Sequence, residues 1–452
     1  MTELRRLPEF ISGFSITEAP ACVVETACMC ILDTVGVAVG AADHAQVRSI
    51  SDAWLKTAGK AEKEVDVWGQ GRTAPLATAV FLNGLMGHTL ELDDVHTNSK
   101  THIGTVIVPA AWGLAQYLGK TGRELAESVV CGYEITARIG MALGVSAHRN
   151  RGWHATSTAG TFGAAAACAK LLGLTADQIV YALGMAGTQS FGLWAFLGDS
   201  ASSKVLHPAR AAQSGLEAAL LAQAGMTGPE HILTAKDGGL LAAMSDDYDV
   251  SLVDKDLGTV WEILAVDNKP YPCCRSTHCG IDAALALREI EPQIAEKMDH
   301  AVVYTYLVGN KQCGMSQGSI DPHTAVEAKF STPYTSACAM LDGDVTLSHF
   351  ESDMIERPQV RDLLSRIRVE TDEGFTSQYP LHWGCRLEVF LKDGTKLEKT
   401  VQDASGSVDN PLTRDQVFRK AKGLFAQTQG DRAQEQAKAV LDLLEAQVLP
   451  RI

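Results

Sequence analysis

The sequence predicts a mainly α protein, with a large all-helical domain and a smaller α+β domain. Three observations support this class. Apolar residues recur at spacings of three and four through most of the first 265 residues. Segments rich in β-branched and alternating residues follow only after that point. A length of 452 residues also exceeds what one hydrophobic core usually serves, so two domains are expected.

The helical domain is predicted to cover residues 1–265, joined by C-terminal helices within residues 406–452. Its helices are Pro20–Gly36, Pro75–Asp93, Thr105–Leu118, Gly122–Met141, Ser157–Leu172, Thr175–Ser190 and Pro208–Ala224. Gly119, Gly173 and Gly225 follow apolar stretches, where glycine commonly ends a helix. Many helix positions are Ala, Gly, Ser or Thr, and no fixed repeat period is found. The helices should therefore pack closely in a compact domain.

The α+β domain is predicted over residues 266–405. Its strands are Ala301–Val308, Arg366–Thr371, Arg386–Leu391 and Lys396–Val401, and its helices include Cys279–Ile290 and Tyr334–Leu341. Asp393-Gly394 lies between the last two strands and predicts a hairpin turn.

Composition narrows the class of function. A formal net charge of -15 argues against nucleic acid and anionic membranes as partners. The first twenty residues show no secretory leader, and no run reaches the roughly 18 apolar residues of a membrane span. An odd number of cysteines, 11, in such a chain predicts reduced thiols. A cytoplasmic protein is expected.

Three short basic segments stand out against this acidic background: His148–His154, Lys204–Arg210 and Lys269–His278. Each lies beside Gly, Pro or Ser/Thr residues that mark turns and helix starts. If folding brings the segments together, they form a positive pocket with titratable bases. Such a pocket suits a small polycarboxylate substrate.

The first two segments contain candidate proton carriers. His154 precedes a run of helix-capping residues, and a helix start favours a bound carboxylate, although His154 could also simply cap or fill. Arg149 nearby adds to an anion site. Lys204 and His207 precede Pro208, a typical first helical residue. Partial burial of Lys204 would favour the neutral amine, which can act as a base.

Lys269 begins the third segment, in a turn made rigid by proline, and Arg275 and His278 follow just before a helix predicted to open at Cys279 or Gly280. These side chains add positive charge for carboxylate binding.

An acidic segment supplies the remaining candidates. Glu91, Asp93, Asp94 and His96 lie within six residues, and His102 follows. Two adjacent carboxylates and two histidines suggest either a metal site or a hydrogen-bonded set that orients His102 or His96. The second interpretation is preferred, because no further His/Asp cluster is obvious.

Cofactor signatures are missing from the sequence. Gly69-Gln70-Gly71 is followed by Arg72, which matches neither a dinucleotide-binding nor a phosphate-binding loop. The spacing of Cys273, Cys274 and Cys279 fits neither zinc nor iron–sulfur ligation. We expect no metal and no organic cofactor, which leaves acid/base chemistry.

The amino-acid sequences of several segments resemble those of the MmgE/PrpD family. They are Glu91–His96, Gly132–Glu134, Gly152–Gly163, Lys170–Leu174, Lys204–Ala212, Tyr271–His278, Glu327–Ser331 and Ala337–Met340. The resemblance spans most of the chain in the family's order. It implies a large helical domain with a smaller α+β lid, a homodimer, and no metal or organic cofactor. Family members include 2-methylcitrate dehydratase, cis-aconitate decarboxylase and iminodisuccinate epimerase.

The resemblance to the decarboxylase implies four catalytic residues, His102, His154, Lys204 and Lys269, with a carboxylate at Glu91. One position differs. The decarboxylase has a tyrosine in the strand around residues 306–308, whereas Leu307 holds that position here and Tyr306 is adjacent.

We therefore expect a cofactor-independent enzyme that moves a proton at the carbon next to a carboxylate of a small di- or tricarboxylate. A lyase of the 2-methylcitrate dehydratase or cis-aconitate decarboxylase type comes first. An epimerase of an amino-dicarboxylate such as iminodisuccinate, and a non-catalytic polycarboxylate-binding protein, are the alternatives. His154 and Lys204 are the predicted acid/base pair, and His102 is a second proton carrier steadied by Asp93 or Asp94. The predicted substrate-binding residues are Glu91, Asp93, Arg149, Arg275, His207 and His278.

Overall fold

The structure is a computed structural model that describes residue 4, residues 6–198 and residues 201–452. It divides into two compact units. Unit 1 contains the described residues up to Phe196, together with Ser203–Asn268 and Thr413–Ile452. Unit 2 contains the described residues of 197–202 together with Lys269–Leu412. The sequence placed the domain boundaries after residues 265 and 405, and the units divide after residues 268 and 412.

Unit 1 is built mainly from helices, as the apolar spacing predicts. In chain order they are α1 Arg6–Gly13, α2 Ala21–Gly40, α3 Ala45–Ala58, α4 Leu76–Thr89, α5 Gly104–Leu118, α6 Gly122–Ala142, α7 Val145–Asn150, α8 Ala155–Thr158, α9 Gly160–Leu172, α10 Ala176–Thr188, α11 Leu206–Gln223 and α12 Leu240–Met244. Small residues let α9 and α11 approach closely: a Cβ added at Gly215 of α11 would lie 2.4 Å from the Cβ of Ala164. Gly119 and Gly173 end α5 and α9 in the left-handed conformation, as predicted.

Two short antiparallel strand pairs also belong to unit 1, and the sequence analysis did not predict them. β1 Val65–Val67 pairs with β2 Arg72–Ala74, and β3 Val95–His96 pairs with β4 Val266–Asp267. Strands of two or three residues are too short to show a periodic pattern. The β3–β4 pair fixes the chain directly after the loop of residues 90–94.

Helix α4 ends at Thr89, so the predicted extension of this helix to Asp93 is wrong. Leu90 is the C-terminal cap, and Glu91 takes a left-handed φ of 58°. A residue with positive φ cannot continue a right-handed helix. The acidic segment is therefore a loop.

Helix α2 is long and apolar enough to cross a membrane by length and composition alone, with a mean hydropathy of 1.9. However, 72% of this stretch is buried inside the protein, which is the pattern of a core helix. Its Asp33 is also paired with a lysine of unit 1.

Unit 2 contains a four-stranded sheet with the order β6–β5–β7–β8. Its strands are β5 Met298–Thr305, β6 Ile367–Thr371, β7 Cys385–Leu391 and β8 Lys396–Val401. β5 runs parallel to β6 and antiparallel to β7. The predicted turn between β7 and β8 is confirmed, with Gly394 at a φ of 88°. The first predicted strand stops at Thr305 and does not reach Val308, because a helix begins at Leu307.

The helices of unit 2 are α13 His278–Ile290, α14 Ile294–Lys297, α15 Leu307–Cys313, α16 Gln317–Ile320, α17 Ala325–Lys329, α18 Thr332–Asp342, α19 Ser352–Ile355, α20 Pro358–Leu364 and α21 Glu373–Gln378. Helix α13 begins at His278, one residue before the earlier of the two predicted starts. Its buried residues share one core with α18 and the sheet strands.

The chain then returns to unit 1 through α22 Arg414–Gln429 and α23 Ala433–Leu441. Helix α22 packs tightly on α2. A Cβ added at Gly36 would lie 3.0 Å from the Cα of Ala421, and one added at Gly40 would lie 2.7 Å from a methyl carbon of Leu424.

Candidate active site

The loop between α4 and β3 positions the acidic residues of unit 1. His88 occupies the last turn of α4, and the loop then presents Glu91 and Asp93. The left-handed backbone of Glu91 costs an L-residue about 1 kcal/mol. Side-chain contacts on either side of Glu91 must stabilise this conformation, and strain of this kind clusters at functional sites.

Asp93 links two imidazole rings. Its Oδ2 lies 2.7 Å from Nδ1 of His88 and 3.1 Å from Nδ1 of His102. His88 and Asp93 are fully buried, and the His102 side chain is 13% exposed. Burial alone would raise the pKa of Asp93, but the two histidines outweigh it and hold this pKa well below its usual range. Asp93 is therefore an ionised acceptor between two histidines.

The same three side chains could in principle hold a metal ion. Ligand atoms on a tetrahedral zinc, each 2.0–2.1 Å from the ion, would lie about 3.3 Å apart. The 2.7 Å separation between His88 and Asp93 is instead that of a hydrogen bond. The geometry thus favours a hydrogen-bonded set.

Asp94, the carboxylate next to Asp93, makes different contacts. Asp94 accepts hydrogen bonds from the backbone N–H of Gly104 at 2.9 Å and from the hydroxyl of Tyr133 at 2.5 Å. Burial raises the pKa of Asp94 to about 7. His96 contacts Ser99 and Glu262. Of the two carboxylates offered by the sequence, Asp93 is therefore the one that contacts His102.

Lys204 forms a buried ion pair with Glu91. Nζ of Lys204 donates to Oε1 of Glu91, and the two side chains are only 8% and 9% exposed. The same Oε1 lies 4.0 Å from Nε2 of His88. Glu91 therefore connects Lys204, two residues before α11, with His88 in the last turn of α4.

His154 stands at the N-terminal cap of α8, but its side chain makes no capping hydrogen bond. Its ring instead faces His207 in the first turn of α11, with the two Nδ1 atoms 2.8 Å apart. One of these nitrogens must donate and the other must accept. Burial, assisted by nearby positive groups, lowers the pKa of His154 well below its usual range and that of His207 to about 4. Both imidazoles are neutral at pH 7.

Aromatic side chains complete the surroundings of His154. Its ring centroid lies 4.9 Å from that of Trp194 and 6.4 Å from those of Phe196 and His102. The guanidinium of Arg149 stacks on Trp194, with Cζ 4.2 Å from the ring centroid. A cation therefore lies across the Trp194 ring that packs on His154.

Unit 1 thus brings most of the predicted residues into one connected cluster: Glu91, Asp93, His102, Arg149, His154, Lys204 and His207. His88 was not predicted from the sequence, where its only signal is its position five residues before Asp93. The aromatic residues Trp194 and Phe196 were not predicted either. Arg151, in the same basic segment as Arg149 and His154, pairs with Asp246 at the surface.

The other three predicted residues belong to unit 2. Lys269 is fully buried, Arg275 is 5% exposed and His278 is fully buried. Nε2 of His278 lies 3.3 Å from the carbonyl oxygen of Cys273, and its ring meets that of Tyr271 edge-on at 5.2 Å.

Tyr306, next to the position where the decarboxylase carries a tyrosine, is buried in unit 2. Its hydroxyl donates to Oγ of Ser276 at 2.7 Å, and its ring stacks on Tyr379. Leu307 is the first residue of α15, so this position lies in a helix and not in a strand.

A helical unit with a buried His–Asp–Lys cluster and an accompanying α+β unit define the class of this protein. The chain belongs to the MmgE/PrpD family. The MmgE/PrpD N-terminal domain matches residues 5–253, and the MmgE/PrpD C-terminal domain matches residues 271–445. The family resemblance seen in the sequence is confirmed.

Three relatives illustrate the similarity. A cis-aconitate decarboxylase of Aspergillus terreus is 27% identical over 83% of this chain and 80% of its own length. The cis-aconitate decarboxylase-like protein oryM of Aspergillus oryzae is 28% identical over 97% and 93%. The cis-aconitate decarboxylase of Homo sapiens is 28% identical over 78% and 74%.

Proposed function

We propose that this protein is a cofactor-independent lyase that acts on a small tricarboxylate, with cis-aconitate as the first substrate to test. The observation that carries the proposal is the buried cluster of unit 1, in which an ion-paired lysine lies among neutral histidines and an ionised aspartate. Relatives named as cis-aconitate decarboxylases support the choice of substrate.

Decarboxylation of cis-aconitate needs one proton donor. The C–C bond to the carboxylate on the methylene carbon breaks, CO2 leaves, and the electron pair forms a new C=C bond. The former double bond takes up a proton at the carbon next to the other terminal carboxylate. Negative charge develops on that carboxylate in the transition state, so cations aimed at its oxygens lower the barrier.

Lys204 suits the donor role. Because its ammonium is paired with Glu91, it can deliver a proton or stabilise negative charge. His102 is the second donor, since the ionised Asp93 at 3.1 Å stabilises an imidazolium at this position. Arg149 would bind a substrate carboxylate. The same role is proposed for Lys269, Arg275 and His278 of unit 2.

Dehydration would additionally need a base, and His154 fits this role because it is neutral. If its Nδ1–H donates to Nδ1 of His207, its Nε2 is left as the acceptor for a proton. His207 would then act by holding His154 in this tautomer.

Proton NMR in D2O with cis-aconitate, citrate, 2-methylcitrate and iminodisuccinate tests the proposal. Decarboxylation of cis-aconitate should release CO2 and place one deuterium on the product. Water loss would indicate a dehydratase, and exchange of an α-hydrogen without a change in formula would indicate an epimerase. Tight binding without turnover or exchange would show a binding protein and overturn the lyase proposal.

Replacing Lys204 or His154 by Ala should reduce turnover about 100-fold or more. Lys236→Ala, at an exposed lysine of unit 1, is the matched control and should leave turnover unchanged. Near-normal turnover in both active-site variants would remove the assignment. Activity that disappears after treatment with EDTA and returns with a metal would contradict the cofactor-independent mechanism.

A further inference from the structure

A lysine of the C-terminal segment reaches the loop that carries Glu91 and Asp93. Nζ of Lys420, in α22, lies 2.6 Å from Oδ1 of Asp33 in α2 and donates to the carbonyl oxygen of Leu92 at 2.7 Å. The Asp33 side chain is fully buried, and the Lys420 side chain is 10% exposed. The ammonium is therefore largely removed from solvent, and its contacts to Asp33 and to the Leu92 carbonyl replace contacts to water.

Close packing of the two helices explains how Lys420 comes to lie there. The glycines of α2 face Ala421 and Leu424, which lie one and four residues after Lys420 along α22. Because Gly36 and Gly40 have no side chains to separate the two helices, Nζ of Lys420 can reach both Asp33 of α2 and the loop. The two bonded residues, Lys420 and Leu92, are 328 positions apart in the chain.

Leu92 lies between Glu91 and Asp93, which gives its carbonyl particular importance. Fixing the peptide group after Leu92 fixes the backbone leading to Asp93, and it limits how far Glu91 can relax from its left-handed φ. Leu92 is itself 5% exposed, so water would replace the lysine poorly as a donor. Displacements of about 1 Å at a catalytic group can cost about 100-fold in rate.

We propose that Lys420, anchored by Asp33, is a positioning residue that holds the Leu92 carbonyl. The loop thereby presents Glu91 and Asp93 to their histidine and lysine partners. The inference rests on the proposed function only in treating this loop as part of an active site, because the structural effect on the loop can be measured without substrate.

Hydrogen–deuterium exchange of the full-length protein, read by mass spectrometry on peptides covering residues 89–97, measures the effect directly. Lys420→Met keeps the stem and removes the ammonium, and exchange in these peptides should become roughly ten times faster. Lys422→Met is the matched control: Lys422 lies on the same helix as Lys420, its exposed side chain contacts Gln434 of α23, and exchange should stay as in the unmodified protein. Unchanged exchange in Lys420→Met would overturn the proposal.

A second variant distinguishes a role of Lys420 in positioning the loop from a role in neutralising the charge of Asp33. Lys420→Met leaves Asp33 buried without its cation and should lower Tm, whereas Asp33→Asn combined with Lys420→Met removes both charges and should recover much of the loss. The positioning role predicts that the double variant still exchanges fast in residues 89–97. Exchange restored together with Tm would mean that Lys420 only neutralises Asp33, and the proposal would fail.

Turnover of cis-aconitate supplies the functional readout. Both variants should show a kcat reduced by about 10-fold or more, with Lys422→Met unaffected. If the unmodified protein turns over none of the tested carboxylates, the proposed function fails, yet the exchange data still decide the role of Lys420.

Discussion

At the residue scale, the contact between His154 and His207 supports a second possible role for His207, beside the substrate binding that the sequence predicts. His207 was expected to bind substrate, but its Nδ1 faces His154 at 2.8 Å. A residue that binds substrate affects KM when removed, whereas a residue that sets a tautomer affects kcat.

We predict that His207→Ala lowers kcat about 10- to 100-fold with little change in KM. His207→Asn should retain clearly more activity, because the asparagine amide oxygen can accept the Nδ1–H of His154. Steady-state kinetics of the two variants check this. Equal losses in both, or a rise in KM alone, would favour the substrate-binding role.

His148 provides a pH-dependent prediction away from the proposed chemistry. Its ring is buried, with Nδ1 3.2 Å from the carbonyl of Met244 and Nε2 2.9 Å from Oγ1 of Thr158. Burial lowers its pKa from 6.5 to about 4. Between these values the unfolded chain binds a proton that the folded protein does not. Stability from this residue is therefore present above pH 6.5 and is lost as the pH falls towards 4.

The loss amounts to at most about 1.4 kcal/mol per pH unit. His148→Gln keeps a donor and an acceptor without the titration, so its Tm should fall less between pH 7 and pH 5 than that of the unmodified protein. Differential scanning calorimetry at the two pH values provides the comparison. Parallel decreases in the two proteins would show that His148 does not titrate in this way.

At the scale of elements, the contact between α2 and α22 depends on the absence of side chains. Gly36→Leu would force a side chain against the backbone of α22, where even a Cβ would lie 3.0 Å from the Cα of Ala421. Overpacking of this kind costs roughly 1–3 kcal/mol, so Tm should fall by several degrees.

A control for this prediction lies on α22 itself. Gly423 has open space around its missing Cβ, so Gly423→Ala should leave Tm unchanged or raise it slightly through helix propensity. Thermal unfolding of both variants tests the packing argument, which would be wrong if Gly36→Leu were as stable as Gly423→Ala.

At the scale of the whole molecule, the sequence also predicts site residues in unit 2, among them Lys269 and Arg275. Lys269→Ala and Arg275→Ala in unit 2 should then each reduce kcat/KM for the tricarboxylate by about 10-fold or more, because a charge-assisted contact to a carboxylate is lost. Lys399→Ala, at an exposed lysine of unit 2, should have no effect. Unchanged kinetics in both Lys269→Ala and Arg275→Ala would contradict their predicted roles.

Much of the fold was readable from the sequence, because apolar spacing, helix-ending glycines and alternating strands are local signals. The long helices, β6–β8 and the Asp-Gly turn follow from them. Errors occurred where local signals were weak: the two-residue strand β3, the loop that ends α4 at Thr89, and the helix that replaces the end of the first predicted strand.

The sequence by itself determined the class of the protein, the acidic background and the residue types available for acid/base chemistry. Only the tertiary structure shows which of these residues are in contact. Asp93, and not Asp94, contacts His102; Glu91 contacts Lys204; and Lys420 contacts the loop. Glu91 and Lys204 are 113 positions apart in the chain, Leu92 and Lys420 are 328 apart, and helix packing brings them together. Spacing in a sequence cannot report such contacts, because they depend on how whole helices lie against one another.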